Sequence, residues 1–199
     1  MRGITRSALL TVVIGIAAAC NDPATTPTSQ TAAYQLGGAA AEARAGGLVG
    51  FGFNGTASGF PTGAVFLTGG GSFDPASASN TVPTDTRVVS NGGFRCTAGI
   101  AQGPLSGCGT GEGVRWDTRQ LLVSTSFKCT AAGQLKPAAT GAGTAVLLAD
   151  FYRAGDGNDE SFTAQMIVSD TDLTTDIPGD QNLWIQGVGC GTAVVHFSK

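Results

Sequence analysis

From residue 48 onward, apolar and polar positions alternate in short runs whose period is that of a β-strand rather than a helix. In residues 161–168, Phe162, Ala164, Met166 and Val168 fall on one face and Ser161, Thr163 and Gln165 on the other, interrupted only by Ile167. Residues 121–129 repeat the pattern: Leu121, Val123, Thr125, Phe127 and Cys129 share one parity, with Ser124, Ser126 and Lys128 on the other, so Cys129 is expected to face inward. Residues 145–152 are more continuously apolar, and the polar run 153–160 that follows reads as a long hairpin loop into the Phe162 strand. Further strands are predicted at 48–53, 64–68, 86–90, 93–100, 183–188 and 191–197, separated by Gly, Pro, Asn and Asp. In the last of these Ala193, Val195 and Phe197 form the apolar face, which puts Cys190 on the wrong parity unless Gly189 and Gly191 carry a bulge. Many short strands without a helical period predict an all-β fold, an antiparallel β-sandwich or barrel-like domain.

The first twenty residues follow a different pattern. A head containing Arg2 and Arg6 precedes an apolar run at 8–16, and Ala17, Ala18 and Ala19 precede Cys20. This is the three-part layout of a secretory signal. The apolar run through Ala19 is twelve residues long, whereas a permanent transmembrane helix needs about 20, so residues 1–19 read as a cleaved signal peptide. The segment resembles the lipobox of bacterial lipoproteins, in which small residues precede a cysteine that receives a diacylglyceryl group before the signal is removed. The resemblance covers these twenty residues only, and Ala17 stands where the commonest lipobox has leucine. It implies a lipid on Cys20 and retention at the outer side of a bacterial membrane; secretion with cleavage after Ala19 is the alternative. Residues 20–47 read as the lipidated cysteine and a flexible tether rich in Ala, Thr, Pro, Ser and Gly. As a flexible coil, some 25 residues span about 25 to 30 Å. Residues 48–199 then form a single β-rich domain.

Composition sharpens this picture. Removing residues 1–19 takes away two arginines and no acid, which leaves nine basic and fourteen acidic residues among 180 and moves the formal charge from −3 to −5. That balance argues against nucleic acid, whose phosphates reward clustered cations. The 31 glycines are about twice the usual share of roughly 7%, and without a Gly-x-x repeat they read as turns and bulges of a β fold. Apart from Cys20 there are four cysteines, Cys96, Cys108, Cys129 and Cys190. In an exported chain these suggest two disulfides, with three pairings possible. A local Cys96–Cys108 bridge needs little chain reorganisation and leaves Cys129 for Cys190. The spacings are not those of a zinc site.

Catalytic patterns are sparse. The sole histidine, His196, has the outward parity of a strand residue, and no Gly-x-Ser-x-Gly elbow accompanies it. Glu112 and Asp117 flank Trp116, and two acids roughly 5 to 10 Å apart suffice for glycoside cleavage. Trp116 and Trp184 could form a sugar-stacking platform, although strand aromatics more often fill a core. Residues 150–180 hold eight acids against the single base Arg153. Within them Asp156, Asn158, Asp159 and Glu160, on a turn with Gly157, supply oxygens of the kind calcium prefers, and Asp170, Asp172, Asp176 and Asp180 could join them if the loops converge. A solvated acidic loop is the simpler reading. The runs at 93–96 and 149–160 resemble uncharacterised secreted bacterial proteins, which implies no activity. The sequence therefore points to a lipid-anchored, extracytoplasmic, non-enzymatic domain that binds an envelope glycan or protein or has a structural role. A carbohydrate-active enzyme or carbohydrate-binding module using Glu112, Asp117, Trp116 and Trp184 is the alternative.

Overall fold

The structure, a computed structural model, describes residues 47–82, 88–153 and 161–198. Its strands are β1 (Val49–Gly59), β2 (Ala64–Phe73), β3 (Val88–Ala98), β4 (Arg115–Leu121), β5 (Ser124–Phe127), β6 (Lys136–Ala139), β7 (Thr144–Tyr152), β8 (Ser161–Ser169), β9 (Leu183–Ile185), β10 (Gly189–Gly191) and β11 (Ala193–Ser198). Of the two predicted architectures it adopts the barrel. Strands β1, β2, β3, β4, β7, β8, β9 and β10 pair in that order, all antiparallel, and β10 returns to β1. Strand β11 continues β10 after Thr192 and pairs with β1 from Gly50 to Gly55, while β10 pairs with Ser58 and Gly59.

Alternation determines what the barrel encloses. Phe51, Phe53 and Ala57 of β1, Val65, Leu67 and Phe73 of β2, Phe94 and Cys96 of β3, and Ala164, Met166 and Val168 of β8 all belong to one inner core. On β4 the register shifts between Thr118 and Gln120, so Trp116 and Leu121, of opposite parity, both point inward. That bulge is why 115–121 does not read as a strand in sequence. The rings of Phe51, Phe73 and Phe197 pack at one mouth, with centroids 5.7 to 6.4 Å apart. At the other, the loop after β3 sends Ile100 and Leu105 into the core, and the Cys96–Cys108 disulfide ties that loop down.

Trp116 explains a glycine. Its indole is fully buried and donates to the Thr68 carbonyl at 3.0 Å. A Cβ on Gly69 would lie 2.4 Å from the indole Cζ2 and 2.7 Å from the Asn91 carbonyl oxygen. The Gly69–Gly71 run, which reads as a turn, is thus the middle of a strand that extends to Phe73. Likewise the segments predicted at 86–90 and 93–100 are one strand, β3, across Gly92 and Gly93; positions 86 and 87 lie outside the described residues.

The expected strand 121–129 is instead broken. β4 ends at Leu121, both Leu121 and Leu122 are buried, Val123 is exposed, and β5 begins a separate hairpin with β6. This hairpin lies outside the barrel. Its Phe127, Cys129 and Ala138 pack on Val146, Ile167, Trp184 and Cys190, the outward positions of β7 to β10, as a second core. The outer core accounts for Ile167 interrupting its strand's alternation and for the continuous apolarity of β7: these strands are covered on both faces. It also corrects the expectation for Cys190. No bulge turns this residue inward; it pairs with Trp184 in register and meets Cys129 outside the barrel wall. The two disulfides follow the expected pairing and belong to an oxidising, extracytoplasmic compartment.

Two stability predictions follow from this packing. Gly69→Val should destabilise by about 1 to 3 kcal/mol through overpacking in urea unfolding. Gly52→Val, whose Cβ meets nothing closer than 3.9 Å, should be neutral or stabilising. The Cys129–Cys190 bridge closes 61 residues and Cys96–Cys108 closes 12, so in the chain-entropy treatment Cys129→Ala/Cys190→Ala should cost about 4 kcal/mol and the other double variant about 3. Quenching of Trp184 fluorescence by acrylamide should rise only in the former.

Candidate functional site

The seam where β10 and β11 meet β1 is bordered by the outer hairpin and by the segment between β8 and β9. There the Thr56 amide donates to the Thr192 carbonyl at 3.1 Å. The backbones approach so closely that a Cβ on Gly191 would lie 1.8 Å from the Thr56 carbonyl oxygen. Where β10 gives way to β11, the Asn182 side chain replaces a strand: its amide donates to the Ala193 carbonyl at 2.9 Å and its oxygen accepts from the Ala193 amide at 2.7 Å.

The 170–182 segment is folded on itself by acids. The Asp172 carboxylate accepts from the Thr174 and Gln181 amides, both at 3.0 Å, and the Leu173 amide donates to the Gln181 carbonyl at 2.8 Å. Lys136 of β6 donates to Asp176 at 2.9 Å and to Thr174 at 2.6 Å, which clamps the hairpin to this segment. The hydrogen bond from Lys136 holds the Asp176 carboxyl below its ordinary range, aided by the lysine's charge and Thr174.

Between these walls a groove of about 400 Å³ opens over the Cys129–Cys190 disulfide, with Thr56, Ser58, Thr130, Gln181 and Thr192 supplying side-chain polar groups and Ile177 an apolar one. No charged side chain lines it. Gln181 is nine-tenths buried, both of its backbone groups are bonded, and its side-chain amide has no partner among the described residues.

The residues singled out from sequence are not gathered here. Trp116 fills the barrel interior and Trp184 lies under the hairpin against Phe127, ring centroids 5.9 Å apart, so the two indoles belong to separate cores and form no exposed platform. Glu112 accepts from the Gly109 amide at 2.8 Å and lies 3.5 Å from Arg153, while Asp117 lies 3.5 Å from Arg115. Each carboxylate thus answers its own arginine. His196 is exposed on β11 opposite Gly52. Cys20 and the predicted calcium residues Asp156, Asn158, Asp159 and Glu160 lie outside the described residues. Asp170, Asp172, Asp176 and Asp180 do not converge on one point, and no group of three or more His, Cys, Asp or Glu among the described residues is placed to hold a metal ion. No helix among them is long and apolar enough to cross a membrane.

Sequence reasoning missed the groove because its polar groups are neutral. Thr56 and Ser58 sit at outward strand positions and Thr192 at the junction of β10 and β11, all of which read as ordinary solvent face, and nothing in the spacing of Asp172 and Gln181 announces their clasp. No protein family, curated protein or solved structure matches this chain.

The clamp gives a pH prediction. A carboxyl held low in the folded chain contributes stability above its unfolded pKa and loses it as pH falls through the folded value. In Lys136→Met, carbon-detected NMR titration should show the Asp176 pKa rising toward the ordinary carboxylate range, with acid unfolding less dependent on this group.

Proposed function

We propose that this chain is an exported β-barrel domain, anchored by a lipid on Cys20 at the outer side of a bacterial membrane, with a binding or structural role in the cell envelope and no catalysis of its own. The observation that carries the reading is the conjunction of a lipobox-like leader with four downstream cysteines that close into two disulfides. Cytosolic thiols are kept reduced, so paired cysteines behind a signal support export. Lipid chains contribute about 0.8 kcal/mol per buried methylene, and stable anchoring takes more than one chain, which a diacylglyceryl cysteine provides.

A non-enzymatic role is supported by the way the site candidates are used. Glu112 caps a turn, Trp116 and Trp184 build cores, and His196 faces solvent without a nucleophile motif. The partner is an envelope component, glycan or protein, met outside the cytoplasm.

Mass spectrometry of the native amino terminus should find an acylated Cys20, and Cys20→Ala should move the chain from the membrane to the soluble fraction. A mature chain starting at an unmodified Cys20 would overturn the anchor and leave secretion. A full-length chain with Met1 and free thiols in the cytosol would overturn export itself.

A further inference from the structure

We infer that the groove over the Cys129–Cys190 disulfide is a binding site for an uncharged, hydroxyl-rich ligand, a glycan. The inference rests on the envelope reading and names the ligand class.

Three observations carry it. The first is Gln181: its backbone is fixed by Asp172 and Leu173, its side chain is nine-tenths buried, and its amide is left without a protein partner while lining the groove. The side chain is largely buried while its amide atoms reach solvent in the groove, so they are positioned by the fold and available to a ligand. The amide offers two donors and two acceptor lone pairs, the complement of neighbouring hydroxyls that each donate and accept.

The second is the lining chemistry. Thr56, Ser58, Thr130 and Thr192 bring hydroxyls, and the disulfide and Ile177 bring an apolar surface for the carbon face of a ring. Thr192 Oγ1 already donates to the Asp180 carbonyl at 2.7 Å, so it faces the groove as an acceptor. With no charged side chain in the lining, an anionic or cationic ligand finds no counter-charge. The volume of about 400 Å³ falls within the roughly 300 to 1,000 Å³ common for small-ligand sites.

The third separates a glycan from a peptide. An extended peptide is held by main-chain hydrogen bonds to an open strand edge. Here β1 is paired on both edges, to β2 on one side and to β10 on the other, and the Gly191 carbonyl accepts from the Asn182 amide at 3.0 Å. The β1 and β10 strand edges beside the groove are thus already paired, which leaves no open strand edge for a peptide to extend and puts side-chain hydroxyl and amide to the fore.

The test is NMR titration of the isotope-labelled full chain with chitotriose, cellotriose and maltotriose, and with tetra-alanine as the peptide probe, each at millimolar concentration. At least one saccharide should shift the Gln181 side-chain amide and the Thr56, Ser58, Thr130 and Thr192 signals. Gln181→Met should weaken that saccharide's binding about tenfold, or about 1.4 kcal/mol, and Ser58→Ala, at an exposed position, serves if Gln181→Met does not fold. No shift with any saccharide, shifts located elsewhere, unchanged binding in the variants, or shifts at these residues with tetra-alanine alone would each overturn the inference. The envelope reading is judged separately by the mass of the amino terminus, so a silent groove on an acylated chain defeats the glycan without defeating the anchor.

Discussion

The structure depends on closing a sheet onto β1. An open eight-stranded sheet would leave two ladders of unpaired amides and carbonyls and would wet its apolar face; closure removes both edges at once. Here it is made by two short strands rather than one long one, β10 on Ser58 and Gly59 and β11 on Gly50 to Gly55. At the junction the Asn182 amide substitutes for backbone, and glycine at 191 lets the chains approach. Everything inward on the alternating strands is buried because this seam holds.

The same seam explains the second core. A strand in a closed barrel normally shows its outer face to water, yet Val146, Ile167 and Trp184 are apolar and outward. They are covered by the β5–β6 hairpin, and the hairpin is held twice at its loop end, by Cys129 to Cys190 and by Lys136 to Asp176. The disulfide thus joins an excursion to the strand that closes the barrel, and the groove lies where the two meet.

Much of the architecture was legible in the sequence because strand parity is a local property. The inward set on β8, the apolar face of β11 and the disulfide pairing were all readable from alternation and spacing. What escaped was non-local. The β4 bulge erased alternation around Trp116, and the glycine run of β2 mimicked a turn because its causes are distant: for Gly69 the indole of Trp116, 47 positions downstream, and for Gly70 and Gly71 the Phe51 and Val89 carbonyls of the flanking strands. The Leu121–Cys129 parity was right for Phe127 and Cys129 yet concealed a break at Val123, since a hairpin packed on the outside of a barrel has the same alternation as one in its wall. The site was less legible still. Acids and tryptophans draw attention in a sequence, but here they serve as caps, clamps and core, whereas the groove is built from threonines, a serine and a glutamine that become distinctive only when their partners are known.

Strand β1 carries a mechanical consequence. The chain enters the barrel at Val49, and the groove residues Thr56 and Ser58 sit near the far end of the same strand, about 20 to 30 Å along it at a rise of roughly 3.3 Å per residue. A load applied between the amino terminus and an occupant of the groove therefore runs parallel to β1. The ladder bonds to β2 and β11 lie across that direction, so they are strained together in shear rather than peeled apart one after another, the arrangement in which a β-structure resists tension best.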